Sequence, residues 1–186
     1  MGIHGPVTDR AVFLDRDGVI NRSMVRDGKP HPPSSIAELE VLPGVPEALG
    51  RLRAAGFRLI VVTNQPDVAR GIRTRRAVEE LNEALRAQLP LDEFRVCYHD
   101  DGDRCLCRKP APGMLQDAAR DCGVDLAASY MVGDRWRDIE AGERAGCTTI
   151  FIDHGYEERQ PRRYDMKVRS LAEAADWIVS NERGER

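Results

Sequence analysis

Five short apolar runs in the chain are separated by segments whose apolar residues recur at helical spacing. Uninterrupted apolar runs of this length are typical of strands that are buried on both faces of a parallel sheet. Because the runs alternate with helical segments, the pattern predicts an α/β fold with a doubly wound parallel sheet. The predicted strands are residues 11–14, 58–62, 94–98, 130–132 and 148–152, and the predicted helices are residues 45–55, 74–88, 112–122, 136–145 and 171–179.

A length of 186 residues suits one domain with its own hydrophobic core, so we expect a single domain over residues 1–186. Three stretches carry no strand or helix pattern, namely 21–42, which is rich in proline, 99–112, and the polar stretch 155–165. None of them is long enough for a separate cap domain. Any cover over an active site is therefore expected to be a minimal cap made of loops.

Two acidic residues follow the first predicted strand directly, Asp15 and Asp17, and Gly18 comes next. In open α/β sheets, ligands bind at the carboxyl ends of the strands. Two neighbouring carboxylates at a buried position are costly unless a metal ion or a reaction uses them. The pattern predicts a nucleophile and a general acid/base that share Mg²⁺, rather than a solvated turn with two ordinary acids.

Polar residues also follow the second and third predicted strands. The hydroxyl of Thr63 and the backbone N–H groups after it could bind phosphate oxygens, although such a residue is also typical of a helix cap. Lys109 could neutralise a phosphate or the nucleophilic carboxylate. On its own, a Lys-Pro pair is more typical of a solvated loop.

The fourth predicted strand leads into Gly133 and Asp134, with Asp138 one helical turn later. Gly133 permits a close approach of the backbone, and Asp134 is a natural third carboxylate for Mg²⁺, which prefers oxygen ligands. Asp138 is expected to orient other groups in the site. Taken alone, Asp134 is more typical of an N-cap of the following helix; the polar residues at the ends of the other strands are what favour a metal site.

The loop 97–107 contains a second candidate metal site. Three thiols and one imidazole within eleven positions suit a tetrahedral structural Zn²⁺ better than one buried cysteine and three unrelated residues. Arg108 and Lys109 follow directly, so zinc would hold the lysine in place. The predicted zinc ligands are Cys97, His99, Cys105 and Cys107.

Composition narrows the class of protein further. A net charge of −3 gives no indication of nucleic-acid binding, and no apolar run approaches membrane-spanning length. The first residues lack the apolar segment of a signal peptide, so we expect a cytoplasmic protein whose five cysteines are reduced or bound to metal. Aromatic residues make up 5% of the chain and no apolar stripe marks a partner surface, so we expect a monomer.

Four motifs occur along the chain in the order Asp15-Arg16-Asp17-Gly18, Thr63-Asn64-Gln65, Lys109-Pro110 and Gly133-Asp134-Arg135-x-x-Asp138. Together and in this order they resemble the haloacid dehalogenase (HAD) superfamily of phosphohydrolases. This resemblance implies a Rossmann-like fold, a small phosphorylated metabolite as partner, and Asp15 as a nucleophile that forms an aspartyl-phosphate. It implies that Asp17 protonates the leaving group and then activates water, while Thr63 and Lys109 hold the phosphoryl group. Mg²⁺ would bind Asp15, the backbone carbonyl of Asp17, and Asp134.

The Cys-x-His…Cys-x-Cys-Arg-Lys-Pro pattern is similar to one branch of this superfamily. The branch contains D-glycero-D-manno-heptose 1,7-bisphosphate 7-phosphatases and histidinol-phosphate phosphatases. By this similarity, the residues that contact substrate would be Asn64, Gln65, Arg108 and Arg135.

Different segments resemble different members of the branch. Residues 68–71, 112–115 and 128–134 look like the heptose enzymes. The short gap between His99 and Cys105 and the Gly-Asp-Arg at 133–135 look more like the histidinol enzymes. Residues 23–26 stand where heptose phosphatases often carry Asp-His-Gly-Tyr, and Gln65-Pro66-Asp67 replaces the usual Gln-Ser-Gly.

Our leading hypothesis is removal of the 7-phosphate of the heptose bisphosphate, with Arg26, Lys29 or Arg73 binding the second phosphate. The alternative is a histidinol-phosphate phosphatase, in which an acidic loop residue meets the substrate ammonium group. A third hypothesis is a sugar-phosphate-binding protein without catalytic activity, because a fold does not determine function. The acidic candidates are Asp67, Asp100 and Asp101.

Overall fold

A six-stranded sheet with helices on both faces carries most of the chain. The structure is a computed structural model and describes residues 9–184; the first residues, on which the signal-peptide expectation depends, lie largely outside that range. The strands are β1 (Arg10–Leu14), β2 (Met24–Arg26), β3 (Lys29–His31), β4 (Phe57–Asn64), β5 (Glu93–Cys97), β6 (Tyr130–Gly133), β7 (Thr148–Ile152) and β8 (Met166–Val168). The helices are α1 (Val45–Ala54), α2 (Arg75–Arg86), α3 (Gly113–Cys122), α4 (Trp136–Ala145) and α5 (Leu171–Glu182).

The sheet has the strand order β5-β4-β1-β6-β7-β8, and every neighbouring pair is parallel. Strand β1 lies inside the sheet, where Leu14 is paired with Val61 of β4 on one side and with Val132 of β6 on the other. The chain runs outward from β1 to β5 and then returns to β6. The carboxyl end of β1 is therefore a topological switch point, and the prediction of a doubly wound parallel sheet is confirmed.

Both faces of β1 are buried because helices cover the sheet on both sides. Val12 and Leu14 belong to a core cluster that includes buried residues of α1 and α5. Ala11 and Phe13 belong to a second cluster that includes buried residues of α3 and α4. This double coverage explains why β1 shows an unbroken apolar run rather than an alternation of apolar and polar residues.

All five predicted strands and all five predicted helices are present, with boundaries shifted by a few residues at most. Strand β7 and helix α4 match their predicted limits, and Thr74 caps α2 by accepting a hydrogen bond from the backbone N–H of Ala77 at 3.2 Å. The helices formed by residues 9–184 are all too short or too polar to pass through a lipid bilayer.

The stretch 21–42 is more regular than its sequence predicted. Strands β2 and β3 form an antiparallel hairpin there, joined by Asp27 and Gly28, whose φ angles are 50° and 70°. Positive φ at both turn residues is what a two-residue hairpin with a type I′ turn requires, and Asp-Gly is a preferred pair for it. The Asp27-Gly28 pair was visible in the sequence, but strands of only three residues are too short to show an alternating pattern on either side of it. The sequence also missed the short edge strand β8, just beyond stretch 155–165.

Candidate active site

Three carboxylates meet at the carboxyl edge of the sheet. Asp15 follows β1, Asp134 follows β6, and Asp138 lies in the first turn of α4. Each offers an oxygen atom within 4.8 Å of the oxygens of the other two, and all three side chains are buried. The interpretation of Asp15 as part of a solvated turn is therefore wrong.

Two glycines make room for this cluster. A Cβ atom at Gly133 would overlap the side chain of Asp138, and one at Gly18 would overlap an oxygen of Asp134. Gly18 also has a φ of +92°, which residues with a side chain rarely adopt. The glycines of both motifs therefore allow the carboxylates to pack directly against the backbone of the two loops.

Asp134 is the carboxylate that most needs a cation. It is 2% exposed, and within residues 9–184 neither of its oxygens accepts a hydrogen bond of ordinary geometry, although Tyr156 lies beside it. Burial, followed by the charges of Asp15 and Asp138, raises the pKa of Asp134 well above its ordinary value. A set of oxygen donors with an unsatisfied buried carboxylate suits Mg²⁺. Helix α4 is capped instead by Asp138, which accepts from the backbone N–H of Arg135 at 2.9 Å.

Lys109 supplies the positive charge inside the cluster. It is 1% exposed, and its ammonium group lies 2.7 Å from Asp15 Oδ1 and 2.6 Å from Asp138 Oδ1, so it is not the solvated lysine of an ordinary loop. The ammonium also donates to the backbone oxygen of Val62 at 2.6 Å. Burial raises the pKa of Asp15 to about 6, even though the charge of Lys109 acts to lower it.

Asp17 lies at the same edge but is held by a different set of partners. Its carboxylate accepts hydrogen bonds from Arg16 at 2.9 Å, Asn21 at 2.9 Å and Gln65 at 2.8 Å. Burial acts to raise the pKa of Asp17, but the charge of Arg16 and these hydrogen bonds outweigh it and lower the pKa. This arrangement therefore favours the ionised form of the predicted acid/base.

The Thr63-Asn64-Gln65 motif is mostly engaged with other protein groups. The amide of Asn64 donates to the backbone oxygen of Lys109 at 3.0 Å and accepts from its backbone N–H at 3.1 Å. The buried amide of Gln65 donates to Thr63 Oγ1 at 2.9 Å as well as to Asp17. Thr63 and Asn64 line the cleft at the site, so the predicted substrate contact of Asn64 would be made by the remaining edge of its side chain.

A cleft of about 260 Å³ opens over these residues. Arg108 and Arg137 on its wall both contact Asp101, at 2.8 Å and 3.0 Å. Arg70 contacts Asp100 at 2.7 Å, and Arg135 donates through Nε to Glu158 at 2.9 Å. The basic residues that line the cleft are Lys29, Arg70, Arg108, Lys109, Arg135 and Arg137.

The predicted zinc ligands form a compact cluster beside the cleft. Cys107 Sγ lies 3.3 Å from Cys97 Sγ, 3.4 Å from Cys105 Sγ and 3.3 Å from His99 Nδ1. The ligand atoms of a tetrahedral zinc site are about 3.3–3.8 Å apart, because Zn–S and Zn–N bonds are roughly 2.3 and 2.0 Å long. The geometry fits zinc, and all five cysteines of the chain are free thiols.

A sequence model of haloacid dehalogenase-like hydrolases matches residues 25–146. This chain belongs to that family. It is 39% identical over 184 residues to the D-glycero-beta-D-manno-heptose-1,7-bisphosphate 7-phosphatase of Yersinia pestis, an alignment that covers 92% of this chain and 90% of the relative. It is 37% identical over 166 residues to the D-glycero-D-manno-heptose-1,7-bisphosphate 7-phosphatase of Chlorobaculum tepidum, covering 80% and 81%.

A solved structure of the same family has a closely similar fold. It is the D,D-heptose 1,7-bisphosphate phosphatase from B. bronchiseptica complexed with magnesium and phosphate. The two chains superpose with a TM-score of 0.76 and are 31% identical, over 92% of this chain and 99% of the other. The HAD-like fold expected from the motifs is therefore confirmed.

In the structure of this HAD-family protein, residues that the sequence did not single out also lie beside the site. His154 Nε2 lies 2.7 Å from the backbone oxygen of Gly18, and the backbone N–H of Glu157 donates to the oxygen of Gly28 at 3.1 Å. The start of stretch 155–165 thus packs on the loop after β1, although most of the stretch is exposed as expected. Arg70 and Arg137 were missed because single arginines carry no pattern.

We predict that the protein purified without chelator holds about one equivalent of zinc, measured by elemental analysis. Cys105→Ser is expected to lose most of it, because the variant replaces a thiolate ligand with a weak hydroxyl. Cys122→Ser is the matched control and should keep its zinc, because Cys122 contacts Glu93 rather than the cluster. Less than half an equivalent in the unchanged protein would contradict the zinc site.

Proposed function

We propose that this protein is a magnesium-dependent phosphomonoesterase that removes the 7-phosphate of D-glycero-D-manno-heptose 1,7-bisphosphate. The observation that carries the proposal is the buried group of Asp15, Asp134 and Asp138 around Lys109 at the base of a cleft. Relatives that align with most of the chain are named for this activity. The fold within residues 9–184 offers one sheet to carry the site, in keeping with a single domain.

Asp15 is proposed as the nucleophile. Lys109 holds one of its oxygens, which leaves the other to attack phosphorus in line with the departing sugar oxygen. The new bond between Asp15 and phosphorus gives an aspartyl-phosphate as the bond from phosphorus to the sugar oxygen breaks. Water then attacks phosphorus, releases inorganic phosphate and restores the carboxylate of Asp15.

Asp17 is proposed to give a proton to the leaving sugar oxygen and to take one from the attacking water. The lowered pKa of Asp17 suits the second task directly. A bound phosphoryl dianion adds negative charge beside Asp17 and so raises its affinity for the proton that the first task requires. Asp17 borders the cleft, where both the sugar oxygen and the water would lie.

Positive charge at the phosphoryl group comes from two sources in this proposal. Mg²⁺, held by Asp15, Asp134 and the backbone carbonyl of Asp17, would offset the negative charge that develops on the transferred group. Lys109 donates hydrogen bonds to Asp15 and to the backbone oxygen of Val62 and forms an ion pair with Asp138, so we propose that it acts mainly through its charge. The hydroxyl of Thr63 contributes a hydrogen bond to a phosphoryl oxygen.

The zinc cluster is proposed to have a structural role. Cys107 is followed directly by Arg108 and Lys109, so a metal fixed by four protein ligands would restrict the loop that carries both residues. Arg108 is additionally tied to the backbone oxygen of His99 at 3.2 Å, within the same loop. The proposed zinc therefore anchors one wall of the cleft and takes no part in the phosphoryl transfer.

We predict that Asp15→Asn abolishes magnesium-dependent phosphate release, lowering kcat by about 10³-fold or more because the nucleophile is lost. The assay is steady-state phosphate release at matched protein concentration, and a thermal melting curve checks that the variant folds. Full activity in the variant would exclude Asp15 as the nucleophile. Absence of release from any ester by the unchanged protein would favour a binding protein without catalytic activity.

Charge pairing on the cleft wall favours a second phosphate over an ammonium group in the substrate. The acidic residues proposed to meet an ammonium are engaged with arginines: Asp101 with Arg108 and Arg137, and Asp100 with Arg70. Asp67 lies 3.6 Å from Arg70 as well. A histidinol phosphate would have to displace one of these ion pairs, whereas a bisphosphate could share the arginines.

We predict that kcat/KM for heptose 1,7-bisphosphate exceeds that for histidinol phosphate by ~100-fold or more, which is about 2.7 kcal/mol of discrimination in the transition state. Phosphate release is measured with both anomers of the heptose and with histidinol phosphate under the same magnesium concentration. A preference of this size in the opposite direction would assign the protein to histidinol phosphate. Similar weak rates with both would point to another phosphate ester.

Among the three basic residues considered for the second phosphate, Lys29 is the one on the cleft wall. We predict that Lys29→Ala raises KM for the bisphosphate by about 10-fold, since one charge-assisted contact is lost, and leaves kcat within about 2-fold. Arg26→Ala is the charge-matched control, because Arg26 is exposed on the same hairpin and does not line the cleft. Equal effects of the two substitutions would exclude a specific role for Lys29.

A further inference from the structure

Asn82 is a buried polar residue that the proposed chemistry leaves unused. It lies on α2, on the side where Val78, Leu81 and Leu85 are buried, and it is 5% exposed. An apolar residue would suit such a helix face better, because burying an amide costs free energy unless the amide finds partners. The side chain has such a partner: Asn82 Oδ1 accepts a hydrogen bond from Arg16 Nη1 at 2.8 Å.

Arg16 connects this helix to the site. Its side chain is 0% exposed, and the part of the guanidinium that does not contact Asn82 donates to Asp17 through Nη2 at 2.9 Å and through Nε at 3.3 Å. A guanidinium is a rigid planar group, so holding one end fixes the orientation of the other. One buried cation therefore joins an amide on α2 to a carboxylate at the end of β1.

The remaining contacts of Asp17 cannot replace this one. Asn21 and Gln65 are neutral amides, and each donates a single hydrogen bond, to Oδ1 and to Oδ2 respectively. Arg16 is the charged partner and contacts both oxygens. Without an acceptor at position 82, the guanidinium would lose its anchor on the side away from Asp17 and could rotate within its buried site.

We propose that Asn82 is a positioning residue, which through Arg16 sets the orientation of the Asp17 carboxylate for proton transfer to the leaving group. The inference rests on the proposed function, in which Asp17 is the acid/base. A residue that only stabilised the fold would affect all substrates alike. A residue that positions the acid must matter most where the leaving oxygen needs a proton.

The test compares two esters that differ in this need. A sugar phosphate has a poor leaving group and depends on protonation, whereas 4-nitrophenyl phosphate releases a phenolate that is stable without it. Asn82→Leu removes the acceptor at similar volume. We expect kcat/KM, which reports the steps up to departure of the leaving group, to fall by ~10-fold or more with heptose bisphosphate and by less than ~3-fold with 4-nitrophenyl phosphate. Correctly oriented acid catalysis contributes roughly 10²–10⁴-fold.

Two variants separate positioning from stability. Asn82→Asp keeps an oxygen acceptor for Arg16, so we expect its activity on both esters to stay within ~3-fold of the unchanged protein. Leu81→Ala creates a cavity at a neighbouring buried position of α2 but removes no hydrogen-bond partner of Arg16, and is expected to leave the ratio of the two activities unchanged. Thermal melting curves of all three variants show which of them are folded at the assay temperature.

An equal loss on both esters in Asn82→Leu, or no loss on either, would overturn the inference while leaving the proposed function intact. The same holds if Asn82→Asp shows the full defect of Asn82→Leu. If the leucine variant does not fold, Asn82→Ala is assayed with the same two esters, and the ratio of its activities on them tests the inference in the same way. Failure of the unchanged protein to hydrolyse either ester would instead overturn the proposed function, and the inference with it.

Discussion

The arrangement of the site depends on one buried ammonium group. Three carboxylates packed at the end of a buried sheet would repel one another and force protonation, since each is removed from water. Lys109 stands between Asp15 and Asp138, and its single positive charge is shared by these two carboxylates. Among residues 9–184 Asp134 has no such partner, so its carboxylate is the one best suited to bind a cation. The positions of the acids make physical sense only when Lys109 is held in place.

Several unrelated parts of the chain cooperate to hold that lysine. The carbonyl of Val62 at the end of β4 accepts from its ammonium, and the amide of Asn64 clamps its backbone from both sides. The thiol and imidazole cluster ends at Cys107, two residues before it. Asn64 and Gln65, which the sequence suggested as substrate contacts, thus also position charged residues of the site: Asn64 binds the backbone of Lys109 and Gln65 binds the carboxylate of Asp17.

The sequence predicted the fold well because each buried parallel strand appears in it as an unbroken apolar run. An apolar run such as residues 11–14 must be covered on both faces, and the polar residue after it must lie at the carboxyl edge. That rule accounts for Asp15 and Asp134, which follow β1 and β6 directly, but not for Lys109, which lies on a loop, or for Asp138, which lies in α4. What it could not predict is which polar groups pair, since the contacts of Arg16 with Asn82 join positions that share no periodicity.

The hairpin of β2 and β3 and the pairing of the arginines escaped for a related reason. Three-residue strands are too short to show alternation, and the turn at Asp27 is recognisable mainly from its glycine neighbour. Long side chains such as Arg135 reach partners far away in sequence, here Glu158. Their direction depends on tertiary packing, which a linear pattern does not encode.

The distance along the chain between paired residues has a consequence for synthesis. Asp15 and the lysine that neutralises it are separated by 94 positions, and Asp134 arrives later still. In a nascent chain on the ribosome, the carboxylate of Asp15 is therefore present long before the opposing charge has been translated. The complete cluster of Asp15, Lys109, Asp134 and Asp138 can therefore form only after the β6 and α4 segments have left the exit tunnel.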